Sequence, residues 1–192
     1  MRVLVACEFS GIVRDAFIAK GHDAMSCDLL PTESPGPHYQ GDVRDILDQG
    51  WDLMIAHPPC TYLTYAGAAY WNDPGRACER DSAMQFFFDL YAAPIEKVAI
   101  ENPRGYPSKA FRSCDQELNP FDFGEPIRKR VCLWLKNLPP LFCGPVVAVE
   151  PSGFYLKSNG RRYNYYHHQG KNGKMRSVFF KSIAQAMADQ WG

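Results

Sequence analysis

Arg2-Val3-Leu4-Val5-Ala6-Cys7, followed by Glu8-Phe9-Ser10-Gly11 and then Ile12-Val13-Arg14-Asp15-Ala16-Phe17, is the stretch on which the fold turns. The first run is short, apolar and β-branched, which reads as a buried strand. It stops at a turn containing a glycine, after which Ile12, Val13, Ala16 and Phe17 recur at helical spacing. Gly21 ends that helix, and Asp23-Ala24-Met25-Ser26-Cys27 forms a second short strand that closes on Asp28. The chain therefore opens with a βαβ unit.

The same alternation continues outward. Pro31, Pro35 and Pro37 punctuate a loop, and a short helix is expected from Arg44 to Asp48. Trp51 to Ala56 reads as a buried strand that runs into His57-Pro58-Pro59-Cys60. Met84, Phe87, Phe88 and Tyr91 give Ala77 to Ala93 a helical period. Ile95 to Ile100 is a further strand and delivers Glu101-Asn102-Pro103 at its end, and Arg128-Lys129-Arg130 introduces a strand from Val131 to Leu135. Ser177 to Trp191 is expected to be an amphipathic helix with Ile183, Ala184, Met187 and Ala188 on one face. Strands alternating with helices predict an α/β fold, a mainly parallel sheet with helices on both faces and ligands beyond the carboxyl ends of its strands. Glu8 to Gly11, Asp28, Asp42, His57 to Cys60 and Glu101-Asn102 fall at those ends.

Composition bounds the function. A chain of 192 residues, 46% hydrophobic and 22% charged, is expected to form one folded domain with a full core. Its 21 basic and 21 acidic residues cancel, so contact with nucleic acid has to come from a local patch. No apolar run approaches the roughly 18 residues of a membrane span. Met1-Arg2-Val3 leads into a strand without a signal-peptide pattern, and a cytoplasmic location is expected. Cys7, Cys27, Cys60, Cys78, Cys114, Cys132 and Cys143 are odd in number and contain no C-x-x-C pair, which suits neither a disulfide framework nor a zinc ribbon. No metal is expected.

Asp28 follows Gly11 by 17 residues, so a helix N-terminus and a strand-end carboxylate are disposed as in sites that hold a ribose. A single glycine falls short of the three of a dinucleotide fingerprint, and a plain βα turn explains the pattern as well. Cys60, held by two prolines at a strand end, is a candidate nucleophile, with a buried inert cysteine as the plainer alternative for any one thiol.

Taken together, these residues resemble the DNA cytosine-5 methyltransferase family. His57-Pro58-Pro59-Cys60 is similar to its Pro-Cys motif, Glu101-Asn102-Pro103 to its Glu-Asn motif and Arg128-Lys129-Arg130 to its Arg-x-Arg motif, in family order. Phe9-Ser10-Gly11 resembles the start of the family's cofactor loop, with Asp28 and Asp42 at its ribose and adenine contacts. The resemblance covers residues 1 to 136 and the last helix. It implies a Rossmann-like fold, S-adenosyl-L-methionine as cofactor held by Phe9, Ser10, Gly11, Asp28, Asp42 and Pro58, and DNA as partner. It also implies catalysis by Cys60, Glu101, Arg128 and Arg130. Cytosine C5 is too weak a nucleophile to take a sulfonium methyl group unaided, whereas a thiolate adding at C6 makes C5 enamine-like. The addition drives charge onto the ring, so Glu101 has to hold a proton at N3. Arg128 and Arg130 would meet base O2 and the phosphate backbone, and Asn102 would organise the loop. The target base must be flipped or already unpaired, and Tyr62, Tyr65, Tyr70 and Trp71 offer rings for stacking or local packing.

Three departures accompany the resemblance. Ile12-Val13-Arg14 stands where the family has further glycines, and Glu8 is one place from its usual acid. His57 precedes Pro-Pro-Cys, where it caps the strand or assists Cys60. Only about 40 residues separate Leu135 from Ser177, too few for a separate target-recognition domain. The expectation is a single methyltransferase domain over 1–192 in which a basic, aromatic loop over 151–176 takes that domain's place. Arg161, Arg162, Lys171 and Lys174 are its candidate nucleic-acid contacts, interleaved with Tyr163, Tyr165 and Tyr166, and Pro151 to Ala188 contains no acid. An exposed basic hairpin at a subunit interface is the plainer alternative. Single-stranded or weakly specified duplex DNA is the expected substrate, with a free cytosine nucleotide or a catalytically silent binding role as the other readings. So compact an enzyme would suit a mobile element such as a phage.

Overall fold

The computed structural model describes residues 1–144, 149–151, 153–165 and 178–192. Seven strands, β1 Arg2–Ala6, β2 Asp23–Asp28, β3 His38–Gln40, β4 Leu53–Ala56, β5 Lys97–Asn102, β6 Gln116–Leu118 and β7 Val131–Lys136, form one sheet in the order β3-β2-β1-β4-β5-β7-β6. β1 to β5 are parallel, while β7 runs antiparallel to both β5 and β6 and is the one reversed strand of the sheet. A second, two-stranded sheet is the hairpin of β8 Gly153–Leu156 and β9 Arg162–Tyr165. Among the described residues the α-helices are α1 Ile12–Ala19, α2 Pro74–Tyr91, the single turn α3 Pro107–Ala110 and α4 Lys181–Trp191.

Both faces of the sheet are covered, which is why its central strands read as unbroken apolar runs. Alternate side chains point to opposite faces. Val3, Val5, Leu53 and Ile55 pack with Phe17 of α1 and with Ile183, Met187 and Trp191 of α4. Leu4, Met54, Val98 and Ile100 pack on the other side with Phe87 and Leu90 of α2 and with Trp134. No helix among the described residues is long and apolar enough to cross a membrane.

The element boundaries depart from the sequence reading where local chemistry decides them. α2 starts at Pro74, three residues early, because the Asp73 side chain accepts from Gly75 N (3.0 Å) and proline suits the first helical position. The short helix expected at 44–48 is a 3-10 turn, Val43–Asp45, capped by Asp42. The last helix starts at Lys181 rather than Ser177, since Phe179 and Phe180 are buried ahead of it. Glu101 and Asn102 belong to β5 itself, because β7 pairs with them as Leu133 and Cys132. The edge strands β3 and β6 are three residues long and largely polar, so periodicity gives no sign of them.

The chain leaves β1 for β2 on one side and reaches β4 on the other. The order therefore reverses beside β1, and a crevice opens beyond the carboxyl ends of these strands.

Candidate active site

The crevice holds a cavity of about 220 Å³ lined by Cys7, Cys27, Asp28, Leu29, Gly41, Asp42, Val43, Arg44, Pro59 and Phe86. Cys7, Cys27, Asp28, Leu29 and Gly41 come from the ends of β1, β2 and β3, Asp42, Val43 and Arg44 from the 3-10 turn and its cap, Pro59 from the loop after β4, and Phe86 from α2. The volume lies below the roughly 300–1,000 Å³ of drug-sized pockets, which suits a nucleoside-sized group. Asp28 accepts from Leu30 N through Oδ1 (2.9 Å), and its Oδ2 has no hydrogen-bond partner among the described residues. Asp42 receives Arg44 Nε on both oxygens (3.0 and 3.1 Å) and Arg44 N on Oδ1 (3.0 Å). The hydrogen bond from Arg44 holds its carboxyl below the usual carboxylate range. Burial, and then the charge of Asp28, raise the thiols of Cys7 and Cys27, that of Cys27 to about 12. Both are therefore neutral wall residues near pH 7 and poor nucleophiles.

Phe9, Ser10 and Gly11 form the turn from β1 into α1, beside the cavity and outside its lining. Gly11 has φ 76°, and a Cβ there would lie 2.5 Å from Arg14 Nη2 and 2.9 Å from Ser34 Cβ, so the position requires glycine. Glu8 is only 4% exposed. Its carboxylate accepts from Val13 N (2.7 Å), Arg14 N (3.3 Å) and Ser10 Oγ (3.2 Å). The chain's own acid thus neutralises the positive end of α1, where a dinucleotide would need to place its pyrophosphate. Arg14 is fully buried and reaches Ser26 Oγ, Thr32 Oγ1 and the Ser34 carbonyl, fastening the loop between β2 and β3. Sequence reasoning saw Glu8 and Arg14 as departures. They are the scaffold of the turn, a role that their spacing alone does not signal.

The reactive candidates stand on the adjacent strands. Ala56 pairs with Ile100, so His57 and Glu101 occupy the next rung. His57 Nδ1 lies 3.3 Å from Glu101 Oε2, with both side chains largely buried, and the imidazole packs on Phe179 at 4.5 Å between ring centres. Asn102 Nδ2 donates to the Pro58 carbonyl (2.9 Å) and ties β5 to the Pro58-Pro59-Cys60 loop. Pro58 is buried and outside the cavity lining, Pro59 stands in its wall, and half-buried Cys60 follows. The Cys60 carbonyl then takes Leu63 N and Thr64 N (3.0 and 2.9 Å), turning the chain sharply. His57 Nε2 and Asn102 Oδ1 are buried with no hydrogen-bond partner among the described residues.

Because β7 starts where β5 ends, Arg128 and Arg130 come to this same edge of the sheet, both exposed. Arg128 lies 4.4 Å from the centre of the Phe121 ring, and Lys129, facing the other way, 5.4 Å from that of Phe180. The aromatic loop packs on the turn after β5 through a bridge between Thr64 and Gly105, where a Cβ would meet the Leu63 carbonyl at 1.9 Å. Trp71 lies 5.3 Å from Tyr65 and 5.4 Å from Tyr106, and Arg76 sits between Tyr62 and Tyr70. Tyr65 and Tyr70 stay exposed.

Of the basic loop, Arg161 lies in the β8–β9 turn and Arg162 opens β9, its guanidinium 4.1 Å over the Phe154 ring. Phe154, Tyr155 and Leu156 are exposed beside them. Lys171 and Lys174 lie outside the described residues.

No family model matches the chain, and neither does any curated protein. Among solved structures, the Entamoeba histolytica methyltransferase EhMeth is similar at 17% identity over 83% of this chain and 60% of that chain, with a TM-score of 0.50. The 16S rRNA methylase RmtB is similar at 14% identity over 70% of this chain and 55% of that chain, with a TM-score of 0.37. The chain thus spans little more than half the length of either structure. Its sheet and flanking helices have the Rossmann-like fold of the S-adenosylmethionine-dependent methyltransferases.

Proposed function

We propose that the chain is an S-adenosylmethionine-dependent methyltransferase acting at C5 of cytosine in DNA, with Cys60 as its nucleophile. The observation that carries this reading is the hydrogen bond from Asn102 Nδ2 to the Pro58 carbonyl. It locks the Glu101-Asn102 strand end to the Pro58-Pro59-Cys60 loop, and Pro59 is already a wall of the Asp28–Asp42 cavity. Nucleophile, candidate acid and nucleoside pocket therefore share one crevice.

The cavity suits the cofactor's adenosine. Leu29, Val43 and Phe86 offer apolar contact for a base, and Asp28 keeps a free oxygen for ribose hydroxyls. Glu8 at the α1 terminus disfavours a pyrophosphate, whereas a sulfonium compound brings none. When bound, S-adenosyl-L-methionine supplies an electrophilic methyl group at C5.

The chain's own residues do the rest. The Cys60 thiolate adds to C6, forming an S–C6 bond and moving the ring's electrons toward C5 and N3. Glu101 holds a proton at N3 against the charge that develops there. His57 Nδ1 engages Oε2 and leaves Oε1 for the base. Transfer of the C5 proton to solvent water, with breaking of the S–C6 bond and departure of the Cys60 thiolate, then restores the C5–C6 double bond. Arg128 and Arg130 meet base O2 and backbone phosphate. Arg161 and Arg162, with Phe154 and Tyr155, add phosphate contact and stacking, a set that favours single-stranded or weakly specified duplex DNA.

The test is nucleoside mass spectrometry after incubating the protein with S-adenosyl-L-methionine and single-stranded DNA, duplex DNA or free deoxycytidine nucleotides, beside Cys60→Ala. The expected result is 5-methyldeoxycytidine from DNA, reduced by about four orders of magnitude or more in Cys60→Ala. Methylation that survives in Cys60→Ala, or appears only on free nucleotides, would overturn the reading.

A further inference from the structure

We propose that Cys114, Glu117 and Cys132 form a binding site for one soft divalent cation of the zinc class, at the β6–β7 edge of the sheet. One ligand atom from each of the three residues, two Sγ and a carboxylate oxygen, lies within 4.8 Å of the others. Atoms bound to a common zinc stand roughly 4 Å apart, given bonds of about 2.3 Å to sulfur and 2.0–2.2 Å to oxygen. Small side-chain rotations close the difference.

The backbone holds the three residues in place without the ion. Glu117 and Cys132 are direct register partners across β6 and β7, so their side chains share a face. Cys114 precedes β6 in a segment pinned by Asp115, whose N–H donates to the Leu133 carbonyl (2.9 Å) and whose Oδ2 accepts from Leu135 N (2.7 Å). Arg104 Nε donates to Glu117 Oε1 and orients the carboxylate while leaving Oε2 to the ion, as outer-shell partners of metal ligands do. Two sulfurs select a soft or borderline cation, and one carboxylate keeps zinc in its range. Binding is balanced by release of the two thiol protons, and water completes the tetrahedron. Cys132 pairs with Asn102 on its other side, so the ion would brace the same rung that carries the Asn102–Pro58 link.

The experiment is read on metal uptake alone and does not depend on methyl transfer. Full-length protein, chelator-treated and kept reduced, is titrated with Co²⁺ and then with Zn²⁺. One equivalent of cobalt should give a thiolate-to-metal charge-transfer band in the near ultraviolet, which zinc then abolishes. Cys114→Ser changes a half-buried residue and Glu117→Gln an exposed one, so both should fold. Each should weaken uptake by about tenfold or more, while Cys60→Ser binds as the parent does. Absence of the band in the parent, or a band of equal strength in Cys114→Ser, overturns the site. So does a Cys114–Cys132 disulfide in protein purified without reductant that takes up no metal once reduced.

Discussion

The carboxyl ends of β1 to β3 and those of β4 and β5 open on the same crevice, yet they treat their polar groups differently. At the first, Glu8, Asp42 and Arg14 are bound by the chain's own backbone and side chains, and the cavity wall is built before any ligand arrives. At the second, His57 Nε2 and Asn102 Oδ1 are buried without partners among the described residues, beside a nucleophile candidate and a largely buried carboxyl. A buried polar atom left unpaired costs on the order of 1–3 kcal/mol. Such atoms gather where structure gives way to chemistry, and completed networks mark where a scaffold has to be rigid. The contrast teaches that one half of the crevice is a finished holder and the other an unfinished one.

If that contrast is sound, substitutions in the two halves should fail in different currencies. Glu101→Gln should lower the single-turnover rate of methyl transfer by about 10²- to 10⁴-fold, as expected for loss of an acid, with cofactor affinity kept. A rate within twofold of the parent would erase the distinction. Asp28→Asn should weaken cofactor binding by about 10- to 100-fold, since a hydrogen bond to a charged group is worth about 1.5–3 kcal/mol. Calorimetry on Cys60→Ala protein isolates that effect from turnover, and unchanged affinity would move the ribose contact elsewhere.

Glu8→Gln should appear in stability, at about 1–3 kcal/mol in urea unfolding, because it turns a buried carboxylate that accepts backbone N–H groups into an amide with one acceptor. An effect on rate with none on stability would give Glu8 to the reacting half. The smallest effect belongs to Asp42→Asn, since the Asp42–Arg44 pair is exposed and screened. The folded-state value of Asp42 is lowered, so its contribution is present above the ordinary aspartate range and is lost as pH falls through the lowered value. The difference in melting temperature between parent and variant should therefore be present at pH 7 and close in more acidic solution. A difference that widened in acid would reverse the assignment.

The alternation of strand and helix, and the position of Asp28, Cys60 and Glu101 at or just beyond strand ends, were legible because burial on two faces writes itself into local periodicity, whereas Asp42 follows β3, a strand that periodicity does not reveal. The boundaries of α2 and α4 were less so, since a cap at Asp73 and two buried phenylalanines set them. Arg161 and Arg162 stood out as a basic run, but nothing in the run foretold that a hairpin would set Phe154 under Arg162.

The residues alone therefore determined the class of fold and the strand ends to which the candidate residues belong, because side-chain alternation and strand-end position are properties of short windows. Tertiary structure alone decided that His57 meets Glu101 across 44 residues, that Glu8 closes the α1 terminus, and that Cys114 and Glu117 come to Cys132. Each of those depends on which strands become neighbours and in what register, and register is settled only when the whole sheet closes over its two cores.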